Sequence, residues 1–288
     1  MKLFVVVATV GRAELAARTI ARLADQTRPP DGVMVVGALP QDVAGIEAGP
    51  LPLRVELAKK GSCSQRNHAL NAIEDDCDLI AIFDDDFVPA ADFLEQAQAF
   101  FAGRPDVVGV NGLLLADGAR GPGISFEEAC RLVSAERGGD ESEQPLEALY
   151  GCNMVLRSSA IRGLRFDENL PLYGWQEDID FTFQLKAKGK LLRVGRLAGV
   201  HMGIKSGRTP GKKLGYSQIA NPLYLLRKRT IPPKLAIKLL IKGPLANLLR
   251  VFKPEPYIDR RGRLQGNLLA LGDLVAGRID PRRIVDLT

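Results

Sequence analysis

The first half of the chain alternates short apolar runs with segments of helical spacing. Leu3–Ala8 is a continuous apolar run rich in valine, which predicts a buried parallel strand. Ala13–Ala24 carries apolar residues at near-helical spacing and predicts a helix, which Pro29 and Pro30 end. Further strands are predicted at Val33–Val36, Leu53–Leu57, Leu79–Phe83, Val107–Leu115, Tyr150–Arg157 and Leu191–Val194, and further helices at Gln65–Ile73, Asp92–Phe101 and Ile179–Ala187. This order indicates an α/β fold with a mostly parallel sheet covered by helices on both faces.

Residues 116–147 interrupt this alternation. Ala116–Pro145 is rich in glycine and glutamate and lies between predicted strands. Ligands bind beyond the carboxyl ends of the strands in sheets of this kind, so we interpret the segment as a mobile insertion near the site. The sequence therefore predicts one α/β domain over residues 1–215 that contains this insertion.

The composition changes after Tyr216. No aspartate or glutamate occurs from there to Pro254, whereas lysines, arginines and leucines are frequent. Three lysines four residues apart share one helical face, and the following glycine and proline predict a break or kink: Lys234, Lys238, Lys242, Gly243 and Pro244. Residues 216–288 are thus predicted to form a basic, partly helical appendage that binds an anionic membrane surface. Packing on the domain, or on a second subunit in a homodimer, is the alternative.

Composition places the chain among ordinary globular proteins. Of its 288 residues 46% are apolar, enough for one large α/β domain with an appendage. The four cysteines show no Cys-x-x-Cys pair and no zinc-finger spacing, so we expect reduced thiols and a cytosolic protein. We expect no signal peptide and no transmembrane helix. Aromatic residues are sparse and the basic segment is rich in leucine, so no nucleic-acid partner is expected.

Three consecutive carboxylates follow the predicted strand Leu79–Phe83. The side chains of Asp84, Asp85 and Asp86 repel one another, and burial would raise the pKa of each. A divalent cation relieves both effects, and oxygen ligands suit Mg²⁺ or Mn²⁺ together with substrate phosphates. The alternative is a solvated acidic turn, because Asp-x-Asp spacing alone is a weak signal.

A second acidic cluster, Glu177, Asp178 and Asp180, follows Trp175 and Gln176. Asp178 is predicted at the start of a helix, where a carboxylate is stabilised. It can act as a general base if an attacking hydroxyl lies within hydrogen-bond reach. Helix capping is the alternative function for these residues.

Arg66 and His201 are further candidates for contacts with phosphate or metal. Arg66 opens a predicted helix after a Gly/Ser loop, a favourable place for phosphate. His201 follows a predicted short strand, and its imidazole could complete a metal shell or contact diphosphate oxygens. A capped surface arginine and a structural histidine are the respective alternatives.

In this order, the segments resemble the large family 2 of glycosyltransferases, which have the GT-A fold. That fold is a Rossmann-like, mostly parallel sheet flanked by helices, here with a helical basic C-terminal appendage. The resemblance covers roughly residues 1–210 and is carried by Val5–Arg12, Gly61–Asn67, Phe83–Asp86, Gly151–Arg157, Phe166–Glu168, Trp175–Phe181 and His201. Each motif alone is weak, but their conjunction in the correct order is specific.

The resemblance implies an inverting, metal-dependent transfer from a nucleotide-diphosphate sugar to a hydroxyl group. The acceptor would be a saccharide or a lipid-linked molecule, in polysaccharide or glycolipid synthesis at the cytoplasmic face of the cell membrane. Asp178 is implied as general base, with Glu177 positioning the acceptor. Mg²⁺ or Mn²⁺ would be bound chiefly by Asp86, with Asp84 and His201. The donor side would comprise Thr9, Gly11, Arg12, Arg66, Asp84 and Asp85, and the acceptor side Asn153 and Trp175.

The second predicted strand departs from the family pattern. Members usually carry an aspartate at its end, where it contacts the base of the nucleotide. Here the strand ends at Gly37 and Ala38, and the next acid is Asp42. A thymidine- or guanosine-linked donor, or recognition of the base by backbone groups, is therefore as compatible with the sequence as a uridine-linked donor.

Two other functions fit parts of the sequence. Sugar-nucleotide pyrophosphorylases also combine an α/β sheet with metal-binding carboxylates, but they usually open with a glycine-rich loop after the first strand. Thr9–Arg12 contains a single glycine. A catalytically degenerate GT-A scaffold at the membrane is the non-enzymatic alternative, which the intact acidic clusters oppose.

Overall fold

The structure, a computed structural model, describes residues 1–47, 49–135, 139–206 and 209–287, with the backbone alone described at residue 120. The chain forms two compact units that interleave along the sequence. The first unit comprises Met1–Lys60, Ser64–Arg165 and Gln184–Gly207, and the second comprises Gly61–Cys63, Phe166–Phe183 and Arg208–Thr288. The domain boundary at residue 215 stays a prediction.

A mixed sheet forms the centre of the first unit. In the described part of the chain its nine strands are β1 (Leu3–Ala8), β2 (Gly32–Gly37), β3 (Leu53–Leu57), β4 (Leu79–Asp84), β5 (Phe87–Pro89), β6 (Val107–Asp117), β7 (Glu143–Pro145), β8 (Asn153–Arg157) and β9 (Lys190–His201). Their spatial order is β3-β2-β1-β4-β8-β6-β9-β5, and β7 pairs with β9.

Most strands of this sheet run in one direction. β1 pairs in parallel with β2 and β4, β2 with β3, and β6 with β9. β8 is antiparallel to both β4 and β6, and β5 and β7 are antiparallel to β9. The predicted mostly parallel sheet is therefore confirmed, and the carboxyl ends of β1, β4, β6 and β9 lie at the same edge.

The helices of the first unit flank its sheet through their apolar faces, and the second unit is mainly helical. In the described residues they are α1 (Ala13–Ala21), α2 (Ser62–Ile73), α3 (Phe93–Ala102), α4 (Phe126–Ala135), α5 (Ser158–Ile161), α6 (Glu177–Lys186), α7 (Gly211–Lys228), α8 (Pro233–Arg250) and α9 (Arg260–Val275). Ile20 of α1 and Phe101 of α3 share one buried core with Val5, Val7 and Phe83 of the sheet. These contacts fix the strand ends that carry the acidic triplet.

Strand β9 is longer than the predicted strand Leu191–Val194. Glycine weakens a strand locally, so the sequence signal ends before Gly195. The strand nevertheless continues to His201, because β6 pairs with it on one side and β5 on the other. A Cβ at Gly199 would overlap the ring of Phe87, so a glycine is required at this close approach. His201 is thus the last residue of β9.

The predicted insertion contains regular structure. It holds helix α4 and strand β7, and α4 buries Ala129 and Val133 in a core with Val88 and Val200. Of the predicted range 116–147, residues 136–138 lie outside the described residues. The mobility of the insertion stays a prediction.

Helices α7 and α9 of the second unit pack closely through paired glycines. Gly215 of α7 faces the backbone of Arg263, and Gly266 of α9 faces the backbone of Lys212. A Cβ at either glycine would clash with a carbonyl oxygen of the other helix. Small side chains therefore allow the close approach, and Tyr216, Ala270 and other buried residues complete the core of this unit.

Helix α8 runs without interruption through Gly243 and Pro244, so the predicted break does not occur. Proline removes one backbone donor, and the turns on either side continue. Asn247, fully buried, secures the second half of the helix by donating hydrogen bonds to Gln218 and Asn267. No helix in the described residues is long and apolar enough to cross a bilayer.

Candidate active site

The acidic triplet lies where β4 ends beside β1. Ala8 pairs with Asp84 in the parallel register, so the residues that follow them are neighbours. The Thr9 hydroxyl donates to Asp85 Oδ2 over 2.7 Å, and Arg12 Nη2 lies 2.6 Å from Asp85 Oδ1. Asp85 is buried, which raises its pKa to about 7, although Arg12 and Thr9 act in the opposite direction. Asp85 therefore joins the turn after β4 to the segment that follows β1.

Asp84 and Asp86 flank this buried carboxylate, and each has one oxygen held by a donor. Arg66 Nη2 lies 2.9 Å from Asp84 Oδ1. The Ile204 backbone N–H donates to Asp86 Oδ2 over 2.9 Å, and Arg12 Nη1 lies 3.2 Å from the same oxygen. The second oxygen of each carboxylate lies toward His201.

Strand pairing places His201 between these carboxylates and a third acid. It pairs with Phe87 of β5 and with Asp117 of β6. Its Nε2 is 3.4 Å from Asp86 Oδ1 and 4.0 Å from Asp84 Oδ2, and its Nδ1 is 2.8 Å from Asp117 Oδ1. An ionised carboxylate can only accept, so Asp117 favours a hydrogen on Nδ1 and directs Nε2 toward Asp84 and Asp86.

The charges of this cluster favour a cation. Burial alone would lower the pKa of His201, but hydrogen bonds to Asp117 and Asp86 raise it to about 10. Burial alone would raise the pKa of Asp86, but His201, Arg12 and the Ile204 N–H hold it at about 2. The carboxylates on both sides of the His201 ring therefore favour positive charge at this position.

The same atoms fit a divalent metal ion. Asp84, Asp86 and His201 each offer one ligand atom, and these atoms lie within 4.8 Å of one another. Two carboxylate oxygens and one imidazole nitrogen suit Mn²⁺ or Mg²⁺, which also accept water and phosphate oxygens. Asp117 acts on His201 as the outer carboxylate that commonly orients a metal-binding imidazole.

Arg66 and Arg12 contact the acidic triplet and are not typical surface arginines. The Arg66 side chain is 5% exposed and also donates to the Gly151 carbonyl, and that of Arg12 is 22% exposed. Both bind the acidic triplet directly. Their guanidinium groups place positive charge next to the candidate metal site, where an anionic ligand would lie.

Asp42 was not predicted as a site residue, yet its carboxylate lies at the end of β2. Its Oδ1 accepts from the Gly11 N–H over 2.7 Å, and its Oδ2 accepts from the N–H groups of Ala38 and Leu39. Gly11 has a φ of +69°, which favours glycine. Asp42 therefore joins the turn after β1 to the end of β2.

The predicted catalytic residues lie in the second unit, at the first turn of α6. Three residues of the preceding loop have positive φ: Leu172 at 60°, Gly174 at 64° and Gln176 at 76°. Such conformations are costly for residues other than glycine and cluster at functional sites. Asp178 is partly exposed and accepts from the Ile179 N–H, whereas Glu177 is buried.

The two residues predicted on the acceptor side have different surroundings. Trp175 is partly buried in the second unit, and its carbonyl accepts from Asn221 Nδ2 over 2.7 Å. Asn153 is buried in β8, where it accepts from Asn111 Nδ2 and donates to the Gly112 carbonyl. The acceptor role of both residues stays a prediction.

Sequence reasoning thus anticipated most of the cluster and missed part of it. The structure brings together seven predicted residues of the first unit: Thr9, Arg12, Arg66, Asp84, Asp85, Asp86 and His201. Asp117 was missed, although it lies just after the predicted strand Val107–Leu115, near the edge where ligands bind, and is the last residue of β6. That position is the signal that could have identified it.

Fold and cluster together define the class of structure: the chain has the GT-A fold of nucleotide-sugar glycosyltransferases, with an Asp-x-Asp-type cluster at the carboxyl ends of its strands. S. aureus TarS 1-349 in complex with UDP-GlcNAc is similar, with a TM-score of 0.58 and 17% identity over 100% of this chain and 84% of that chain. The mannosyltransferase PcManGT from Pyrobaculum calidifontis, in complex with GDP-Man and Mn²⁺, has a TM-score of 0.57 and 17% identity, over 99% and 78%.

A third similar structure is GalNAc-T7 with UDP, GalNAc and Mn²⁺. It has a TM-score of 0.60 and 12% identity, over 99% of this chain and 56% of that chain. A longer S. aureus TarS structure matches 88% of this chain but only 44% of its own. At these identities the likeness establishes the fold. No family model matches the sequence, and no curated protein matches it.

Proposed function

We propose that the protein is a metal-dependent glycosyltransferase that moves a sugar from a nucleotide-diphosphate sugar to a hydroxyl group, with inversion, as in family 2. The observation that carries this proposal is the convergence of Asp84, Asp86 and His201 on one point, at the carboxyl ends of the strands of a GT-A fold. The similar structures hold UDP-GlcNAc, GDP-Man with Mn²⁺, and UDP with Mn²⁺, which supports a nucleotide-sugar donor.

The residues around the cluster have distinct roles in this proposal. Asp84, Asp86 and His201 would hold Mn²⁺ or Mg²⁺, which when bound neutralises charge on the departing nucleoside diphosphate. Asp117 orients His201, and Arg66 holds Asp84. Thr9 and Arg12 fix the turn through Asp85. Gly11, Arg12 and Arg66 are proposed to contact the nucleotide-sugar donor.

Asp178 is the proposed general base. Its side chain is partly exposed on the first turn of α6, so it is accessible to a hydroxyl from solvent. In this role it accepts the proton of the acceptor hydroxyl while that oxygen attacks the anomeric carbon. Glu177 is proposed to position the acceptor, together with Trp175 and Asn153.

The acceptor and the cellular location are proposed on the basis of the C-terminal region. A saccharide or a lipid-linked acceptor, in polysaccharide or glycolipid synthesis, fits a protein that is peripheral on the inner face of the cell membrane. The basic segment between Tyr216 and Pro254, which lacks acidic residues, supports that location.

The test is turnover of nucleotide-sugars. The protein is incubated with UDP-, GDP- and dTDP-sugars and Mn²⁺, and release of the nucleoside diphosphate is followed with and without excess chelator. Release from one donor that stops in chelator supports the proposal. Nucleotide binding without release would favour the scaffold, and formation of a nucleoside triphosphate from added pyrophosphate would favour the pyrophosphorylase.

A further inference from the structure

Helix α8 presents its large apolar side chains to solvent. The residues that it buries are Ala236 and Asn247, one small and one polar. The exposed apolar side chains are Ile237, Ile241, Leu245, Leu248, Leu249 and, just beyond the helix, Phe252. These six residues are called the α8 apolar face below. Helices of globular proteins usually bury such side chains, so packing within the second unit does not account for this sequence.

The exposed and the covered residues lie on opposite sides of the helix. At about 3.6 residues per turn, Ala236, Gly243 and Asn247 share one side. That side is covered, since Asn247 bonds Gln218 and a Cβ at Gly243 would meet the Gln218 side chain. Ile241 and Leu245 lie about half a turn away from it. The apolar face therefore points away from the rest of the unit.

Exposed lysines lie among and beside the residues of the α8 apolar face. Lys238 and Lys242 directly follow Ile237 and Ile241, and Lys234 lies one turn before Lys238; all three are exposed. No aspartate or glutamate occurs between Asp180 and Glu255. An apolar strip beside a row of lysines is the pattern of a helix that lies in the plane of a membrane interface.

Charge distinguishes two possible occupants of the α8 apolar face: a second copy of the chain and an anionic membrane. In a two-fold dimer the same patch meets itself, so the lysine row would face positive charge on the other copy. An anionic phospholipid surface offers acyl chains to the apolar residues and negative headgroups to the lysines. We propose that the α8 apolar face binds an anionic phospholipid bilayer, with α8 lying flat at its surface and Phe252 inserted.

This proposal deepens the peripheral location proposed above, and vesicle binding tests it without donor or acceptor. The full-length chain is floated with vesicles of phosphatidylcholine alone or mixed with phosphatidylglycerol. The informative variants are Leu245→Asn and the double variant Lys238→Gln/Lys242→Gln. The matched controls are Leu57→Asn and Lys59→Gln/Lys60→Gln, because Leu57 is 44% exposed against 47% for Leu245 and the charge loss is the same.

The expected result is binding to the phosphatidylglycerol vesicles. The double lysine variant is expected to lower the partition coefficient about 30-fold, and Leu245→Asn at least about tenfold, with both controls unchanged. Absence of binding by the parent protein, or equal binding by Leu245→Asn, would overturn the proposal. It would also fail if sedimentation showed a dimer of the parent protein that Leu245→Asn dissociates, because a second copy would then cover the face.

Discussion

The three carboxylates of the acidic triplet have different surroundings. Arg66 holds one oxygen of Asp84, and the Ile204 N–H holds one of Asp86, so their other oxygens lie toward His201. Asp85 between them is buried against Thr9 and Arg12. The three consecutive aspartates therefore divide into two candidate metal ligands, Asp84 and Asp86, and one anchor of the turn, Asp85. The Asp-x-Asp spacing indicated the first two, whereas the contacts of Asp85 come from tertiary structure.

Asp117 sets the orientation of His201, and its removal tests that role. Asp117→Asn retains the size of the side chain but weakens the hydrogen bond to His201 Nδ1. We expect the affinity for Mn²⁺ to fall about 10- to 100-fold, measured by calorimetric titration of the folded variant. Asp75→Asn, at an exposed aspartate of the same unit, is the control and should bind Mn²⁺ normally. Equal Mn²⁺ affinity in Asp117→Asn would show that His201 does not depend on this contact.

Asp178 is tested by an isosteric change. Asp178→Asn removes the proton acceptor while the first turn of α6 retains a polar side chain of the same shape. We expect kcat for sugar transfer to fall about 10²- to 10⁴-fold, with nucleotide binding unchanged. Steady-state kinetics and a nucleotide titration measure the two quantities. Normal turnover by a folded Asp178→Asn protein would assign the base to another residue.

Lys228 neutralises two carboxylates of the second unit. Its Nζ lies 2.7 Å from both Asp167 and Asp180, and Asp180 is fully buried. We expect Lys228→Gln to lower the free energy of unfolding by about 3 kcal/mol at neutral pH, since a buried carboxylate loses its partner. Lys186→Gln is the control, because its exposed pair with Glu147 contributes at most about 1 kcal/mol.

The effect of Lys228→Gln depends on pH with a defined sign. Burial would raise the pKa of Asp167, but hydrogen bonds from Lys228, the Asn169 N–H and Tyr224 lower it below its ordinary value. A lowered pKa stabilises the folded state above the unfolded-state pKa of about 4, and this contribution is lost as the pH falls through the folded-state value. Urea denaturation should therefore show a smaller difference between variant and parent at acidic pH. A constant difference would mean that charge is not its origin.

The sequence indicated the candidate site residues that belong to a motif. It missed the residues that contact the site only through tertiary structure. Asp84, Asp86 and His201 belong to a recognisable order of motifs. Asp117 and Asp42 carry no motif, and their roles depend on pairing of β6 with β9 and on the turn after β2. Such contacts join residues distant in sequence, which local pattern does not encode.

At the level of elements, the apolar runs predicted the strands of the sheet but not all of their ends. β1 and β4 match their runs closely, because both are buried along their length. β9 extends past its glycines because neighbouring strands pair with it. The short strands β5 and β7 have no run of their own, and α4 was assigned to an irregular insertion because its glycine-rich flanks obscured it.

The glycines of α9 provide a matched pair of tests. Gly266→Ala would place a Cβ against the Lys212 carbonyl, whereas Gly272 is exposed with open space around it. We expect Gly266→Ala to lower the free energy of unfolding by about 1–3 kcal/mol and Gly272→Ala to raise it by up to about 1 kcal/mol. Urea denaturation monitored by circular dichroism measures both. If the two variants changed stability alike, the close approach of α7 and α9 would be wrong.

For the whole molecule, the order of elements predicted an α/β fold with a mostly parallel sheet, and the resemblance of the ordered motifs to family 2 glycosyltransferases implied the GT-A fold. Alternation of strand and helix restricts the chain to a few sheet topologies, and the acidic triplet at the end of β4 restricts where a ligand can bind. The interleaving of the two units was not predictable, because Gly61–Cys63 joins the second unit through long-range contacts. For α8 the sequence predicted a basic, apolar helix, and tertiary contacts determine which of its residues are buried and which are exposed.

The central claim is that Asp84, Asp86 and His201 bind the divalent cation that accompanies a nucleotide donor. The most direct measurement is calorimetric titration of nucleoside diphosphates into the protein, with Mn²⁺ and with excess chelator, for the parent chain and for Asp86→Asn. We predict that one nucleoside diphosphate binds the parent at least about tenfold more tightly with Mn²⁺ and that folded Asp86→Asn loses this dependence. Equal binding in chelator, or the same Mn²⁺ dependence in Asp86→Asn, would contradict the claim.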